Sequence, residues 1–424
     1  MDCPSLPARS AVFPWVYHDH MSDPFSGGFD PRIFEQVPLF RELAKVMSWT
    51  GGPVNWDLAQ QTAGSMVSST GPRSDRDEQE FTAAVRVAEL WLDQVTGLEA
   101  VNGPVRSLSA EQWVREATTS TGLGLLVEPL AAGMSQALAQ GLPEELRAMD
   151  SQPGLGDALR QSFGAMGAMM YGVQVGTIAG NLAGQLLGTY DLGLPLIDAR
   201  VVATVGDTHE RFARDYDVEP TEMRFWLALR EALFRRMYAG VPWLQPELSK
   251  LLTEFAAAAD FNPERLMEQF GTAGIDPSDI EALSSTLGSE RFTVEPTTGQ
   301  QRVLTRLQVL VAFVEAYAEV VISAAGETRL QALGRIEEAM RRRRAERGPG
   351  ERMLNQLIGL DLLPRLVRDA RAFCDAVIAA RDQAGLDRVW QDPRHLPTPD
   401  DFEDPSRWLV RMAAVELEQG ESPE

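Results

Sequence analysis

Histidine, cysteine and lysine are nearly absent from this chain. Its 424 residues hold four histidines and two cysteines, and of 39 cationic residues only Lys45 and Lys250 are lysine. Two cysteines exclude a disulfide scaffold and fit a reduced, cytoplasmic setting. So few imidazoles and thiols exclude a multi-zinc-finger protein. A basic surplus is also missing: 39 Lys+Arg stand against 61 Asp+Glu, a net charge of −22. A net anion repels phosphate, so nucleic acid is not expected as a partner. The N-terminus has no basic region leading into an apolar core, and no signal peptide is expected. What is present is an ordinary globular mix, 44% hydrophobic and 24% charged, which excludes a disordered chain.

Alternating strand patterns are scarce and helical periodicity is frequent. Apolar residues recur at three- and four-residue steps over Arg32–Met47 and again over Asp75–Val95. Ser109 with Gln112 three positions on reads as a capping box opening another helix. Further helices are predicted at 125–139, 153–187, 198–215, 222–239, 245–259, 263–270, 298–325, 328–344, 350–358 and 364–384, and a short strand or turn at 291–295. Proline and glycine clusters such as GGPVNW, AGVPWL and RGPGER separate them. The fold class is therefore mainly α. The expected organisation is a mobile arm over 1–31, one large helical domain over 32–417 and an acidic tail over 418–424.

Gln161–Tyr190 contains no charged residue, and glycine or alanine falls at every fourth position from Gly164 to Gly188. That spacing lets helix backbones approach closely. Gln174, Asn181 and Gln185 would be costly in lipid, so a central buried helix is expected rather than a membrane span.

Several residues suggest chemistry. His209-Glu210 opens like HExxH, the helical zinc-binding pair, but the fourth residue after His209 is Ala213, which cannot ligate. A charged surface helix is the simpler reading. His18 and His20 flank Asp19 in a proline-rich segment, and His395 precedes Pro397; both read as loops. Arg341–Arg344 suits an oxyanion, yet it ends a helix with Glu337, Glu338 and Glu346 near, so paired helix-end cations are favoured. Glu231 lies on the mostly apolar helix LALREALFRRMYAG beside Arg230 and Arg235. A carboxylate there is either ion-paired or tuned for acid–base work, and the residues alone favour the ion pair. Glu315 and Glu319 repel one another at i,i+4 on LVAFVEAYAEVV, so each needs a cation, a metal or solvent. No P-loop, GxGxxG after a strand, GxSxG elbow or CxxC occurs.

In order along the chain, GGPVNWDLAQQ, GLLVEPLAAGMSQAL, YGVQVGTIAGNLAGQLLGTYDLGLPL, ALREALFRRMYAGVPWL, LVAFVEAYAEVV, EEAMRRRRAERGPGERMLNQLIGLDLLPRLVRDA and LPTPDDFEDPSRWL resemble the landmarks of the actinobacterial zinc-dependent metalloprotease family, the zincin-like hydrolases. The resemblance covers roughly Phe29 to Leu409. It implies a zincin-like helical domain, a zinc cofactor and peptide-bond hydrolysis. The family's site is a REAAH- or HExxH-like motif before VPWL, which here reads Arg230-Glu231-Ala232-Leu233-Phe234. The resemblance makes Glu231 the general base and Glu315 a metal ligand. Phe234 and Gly240 stand where histidines are expected. His209, earlier in the chain, is the imidazole available as a replacement ligand. A catalytic zinc usually takes three protein ligands, so the metal is expected to be weakened or lost. Two readings stay open: a zinc-dependent hydrolase, or a pseudoenzyme of the same fold that binds a peptide or protein. Substrate and oligomeric state are not legible.

Overall fold

A computed structural model describes residues 52–68, 73–141, 155–259, 297–360 and 364–420. The predicted helices at 32–47 and 263–270, the strand or turn at 291–295, the arm over 1–31 and His18 and His20 lie outside these residues.

The described chain is mainly α, as its periodicity predicts. Helices α1 (Trp56–Met66), α2 (Asp75–Leu92), α3 (Ala110–Ala117), α4 (Gly124–Gly141) and α5 (Leu155–Ala183) come first. They are followed by α6 (Thr208–Asp215), α7 (Pro220–Gly240), α8 (Leu244–Ala257) and α9 (Thr298–Gly326). The C-terminal part holds α10 (Leu333–Ala345), α11 (Pro349–Ile358), α12 (Pro364–Asp387), α13 (Pro399–Glu403) and α14 (Pro405–Gly420). Helix α14 takes in the first residues of the expected acidic tail. Local chemistry sets many starts. The Ser109–Gln112 capping box is formed in both directions, at 3.1 and 2.8 Å, and Thr297 and Gln300 do the same for α9. Pro220 opens α7, where its missing N–H costs nothing.

The predicted helix at 198–215 is corrected. Its first half contains strand β2 (Val202–Val205), which pairs in parallel with β1 (Val105–Leu108), Val105 opposite Val202. The strand VATV is fully buried and three of its four residues are β-branched, and short apolar runs of this kind carry no helical period. The outer edge of β2 is taken by the segment after α5: Val205 N–H donates to Leu187 O and Thr189 N–H to Ala203 O, each at 3.2 Å.

Two helices are buried around their whole circumference, α7 from Trp226 to Tyr238 and α9 from Val309 to Ala318, although α7 carries Arg230, Glu231, Arg235 and Arg236 and α9 carries Glu315. Such helices sit inside a fold. α7 packs against α2, α6 and α9, and α9 against α8 and α12. α9 is long and apolar enough to cross a membrane by length and composition, and most of it is buried in protein. The close packing expected of the glycine-spaced helix is present on one face of α5. Built Cβ atoms on Gly172 and Gly176 would fall 2.6 and 2.5 Å from the Asn55 and Ala59 carbonyls at and within α1. The other face is open, with Met170, Val173 and Gln174 exposed. The amides form no network: Asn181 bonds back to Thr177 O at 2.9 Å, and Gln185 lies past the helix end.

Candidate functional site

Glu231 and Glu315 are brought together, through Arg230. Glu231 and Phe234 are 0% exposed and Arg230 is 1% exposed, all on α7. The ion pair expected between Glu231 and its neighbouring arginines is not what forms. Arg230 turns to α9 and grips Glu315 with two N–H groups, at 2.6 and 3.1 Å. Arg235 goes to Glu89 at 2.7 Å. Glu231 instead accepts backbone N–H bonds from Thr189 (3.1 Å) and Tyr190 (2.9 Å), one on each oxygen. Burial pushes its carboxyl up to about 8, against the pull of the Tyr190 amide and Arg230. For Glu315 burial acts in the same upward direction, but Arg230 and Arg344 outweigh it and hold the group below its ordinary value. Two glutamates on adjacent helices are therefore pushed in opposite directions from the ordinary carboxyl value.

The turn Gly188–Gly193 completes the site. Its carbonyls at Tyr190 and Asp191 accept from Arg230 Nη2, at 3.0 and 3.3 Å. A Cβ on Gly188 would lie 2.4 Å from Glu231 Oε1, and one on Gly193 would lie 2.3 Å from Glu315 Oε1. Gly193 also has φ +73°, which disfavours any side chain. The carboxylates fit only because both positions are glycine. Asp191 is buried and takes a bidentate grip from Arg343, at 2.8 and 2.6 Å.

Arg343 and Arg344 are functional neighbours that the sequence reading placed on a helix end. The run divides. Arg341 and Arg342 pair with Glu338 at the surface. Arg344 reaches inward to Glu315 (3.4 Å) and Glu319 (2.5 Å), which relieves the like-charge pair on α9. A helix turns about 100° per residue, so consecutive arginines cannot share one environment. The sequence signal was the run's length, four arginines against Glu337, Glu338 and Glu346. Glu337 in fact accepts from Ser323 at 2.6 Å.

Phe234, where a histidine is expected, packs among aromatic rings. It stacks on Tyr190 at 5.5 Å and Tyr238 at 6.3 Å, and the Arg230 guanidinium carbon lies 4.4 Å from its ring centre. Gly240 ends α7, nine residues beyond Glu231, roughly 13 Å along the axis. It lines a separate groove of about 570 Å³ with Leu98, Val241, Pro242, Asp387 and Trp390.

His209 is not gathered into this centre. It is buried at the start of α6, with Glu210 4.0 Å from Nε2 and no partner for Nδ1. Burial lowers its imidazole to about 4, so the ring is neutral. Arg73, Arg224 and Asp77 surround it. Arg224 stands seven residues before Glu231 on α7, roughly 10 Å along the axis. His395 holds a local turn, its ring Nδ1 2.9 Å from Arg388 O.

This donor set does not fit a catalytic zinc, which asks for about three protein ligands and an open position. Both Glu231 oxygens face backbone amides, and both Glu315 oxygens face a guanidinium. Among the described residues no imidazole contacts either carboxylate. Among the described residues no group of three or more His, Cys, Asp or Glu is arranged to hold a metal.

No curated protein matches the chain. A crystal structure from Chloroflexus aurantiacus, of a proposed hydrolase with a novel fold, aligns over 85% of this chain and 99% of its own, with a TM-score of 0.59 and 22% identity. That likeness establishes a shared fold. The family model for zincin-like metallopeptidases matches residues 54–409, so the chain belongs to the zincin-like metallopeptidase family.

Proposed function

We propose that this protein is a non-hydrolytic member of its family, a pseudoenzyme that binds a peptide or protein segment without cleaving it. The observation that carries this reading is the packing of Phe234 at 0% exposure between Tyr190 and Arg230, beside a Glu231 whose two oxygens are held by the Thr189 and Tyr190 amides. A general base must reach the water it activates within hydrogen-bond distance. Glu231 faces backbone on both oxygens and is sealed from solvent. A phenylalanine contributes no lone pair to a metal, and it fills the volume an imidazole and water would need.

The groove beside Gly240 is the concave surface proposed to take the ligand. Ala100 and Pro242, exposed, with half-buried Leu98 and Val101, give it apolar area, and Asp387, Arg388 and Gln391 give it polar edges. That mixture suits an extended peptide. The test has two arms. Elemental analysis of the purified protein should find no stoichiometric zinc, and a mixed peptide pool should remain uncut. Stoichiometric zinc with cleavage that Glu231→Gln abolishes would overturn the reading in favour of a metallopeptidase. In the second arm, a displayed peptide library is panned on the protein, and Ala100→Trp, which fills the groove, should reduce retention at least tenfold. Unchanged retention would remove the groove from the proposal.

A further inference from the structure

The family implies a metal cation where this chain has built something else. Arg230 meets four acceptors in one place. Its Nη1 and Nη2 take the two oxygens of Glu315 from α9, at 3.1 and 2.6 Å, and Nη2 also takes the Tyr190 and Asp191 carbonyls, at 3.0 and 3.3 Å. The guanidinium plane rests over Phe234, 4.4 Å from the ring centre. A carboxylate, two carbonyls and a π face, drawn from two helices and a turn, are what a cation gathers. Arg230, Arg343 and Arg344 face Glu315, Asp191 and Glu319, and Glu231 is held by two backbone amides. Among the described residues no three His, Cys, Asp or Glu are grouped to hold a metal.

We propose that the Arg230 guanidinium is the resident cation of this centre, tying α7, α9 and the Gly188–Gly193 turn together as a bound metal would, so that the fold stands without metal. The proposal rests on the non-hydrolytic reading above and adds the group that supplies the positive charge. Arginine also stands first in the REAAH form of the family's motif, so Phe234 is the change in this chain: the ring removes a ligand and supplies a face for the guanidinium.

Removing the side chain tests it. Arg230→Ala leaves Glu315, two carbonyls and a cavity shaped for a planar cation. The thermal midpoint of this variant should fall by roughly 5–10 °C. Free guanidinium chloride at low millimolar concentration should raise it again, while lowering or leaving unchanged the midpoint of the wild type, because guanidinium is otherwise a denaturant. Sodium chloride and urea at equal concentration serve as controls and should not rescue. If Arg230→Ala does not fold, the Arg230→Ala/Glu315→Ala pair removes both charges and should recover soluble protein, and Arg230→Lys should melt below wild type because an ammonium lacks the planar fork. Arg230→Ala melting like wild type, or guanidinium acting equally on both proteins, would overturn this proposal alone. Zinc in the wild type, with a melting point that falls on chelation, would instead overturn the non-hydrolytic reading.

Discussion

The Arg230 centre and the His209 site are two buried polar places that treat charge in opposite ways. Around Arg230 burial is nearly complete, yet ions persist because each faces a counter-ion or a carbonyl. At His209 burial is almost as deep, the imidazole has no partner on Nδ1, and the ring has given up its proton. The physics is the same in both. Taking a charge out of water costs several kcal/mol, which is offset by a well-placed partner or avoided by losing the charge. Glu231 shows both answers in one residue: it has hydrogen-bond donors but no guanidinium of its own, and its carboxyl is pushed up to about 8. Burial pushes each of these groups toward its neutral form, and a facing guanidinium is what turns Glu315 the other way.

That contrast can be broken or sharpened by experiment. The largest effect is expected for Gly193→Ala, whose Cβ meets Glu315 Oε1 at 2.3 Å on a backbone with φ +73°. Overpacking and left-handed strain together should cost about 3 kcal/mol by urea denaturation, and a wild-type midpoint would show that the centre has slack. Next comes Glu231→Gln. The folded carboxyl at about 8 lies above its ordinary 4.5. The folded state then holds a proton the unfolded state releases, so Glu231 costs stability as pH rises from 4.5 through 8. The difference in unfolding free energy between variant and wild type should move in the variant's favour by a few kcal/mol across that window; a flat difference would contradict the assignment.

His209→Phe should do less. His209 titrates lower in the fold, about 4, than its ordinary 6.5. Its stability contribution is lost as pH falls from 6.5 through 4, so the variant should resist acid better, with a gain of about 1 kcal/mol at neutral pH from removing an unpaired nitrogen. A stability loss at acid pH would contradict the neutral buried ring, and zinc binding by calorimetry that the variant abolishes would restore His209 as a ligand. Smallest of all, Arg341→Ala and Arg342→Ala should change stability by no more than about 0.5 kcal/mol in thermal melts, because their Glu338 pairs are exposed.

Much of the fold was legible along the chain. The helical class, the Ser109–Gln112 cap and the extent of helix α9 follow from periodicity and capping chemistry, which act over a few residues. The order of landmarks carried the family, and the identity of residue 234 carried the doubt about a metal. Strands β1 and β2 were not legible, because a four-residue buried run has no period to read.

Tertiary structure alone decided the partners. Nothing local says that Arg230 ignores Glu231 beside it and reaches 85 positions away to Glu315, or that Arg343 and Arg344 leave the run of Arg341 and Arg342 for buried carboxylates. Adjacent residues on a helix point in different directions, and an ion pair is chosen by what packs opposite. The sequence by itself determined which charges and rings exist on each helix and that one expected imidazole is a phenylalanine. Only packing determined which carboxyl is pushed up by burial and which is held down by a guanidinium. Desolvation and Coulomb attraction depend on distances that the chain fixes only once it is folded.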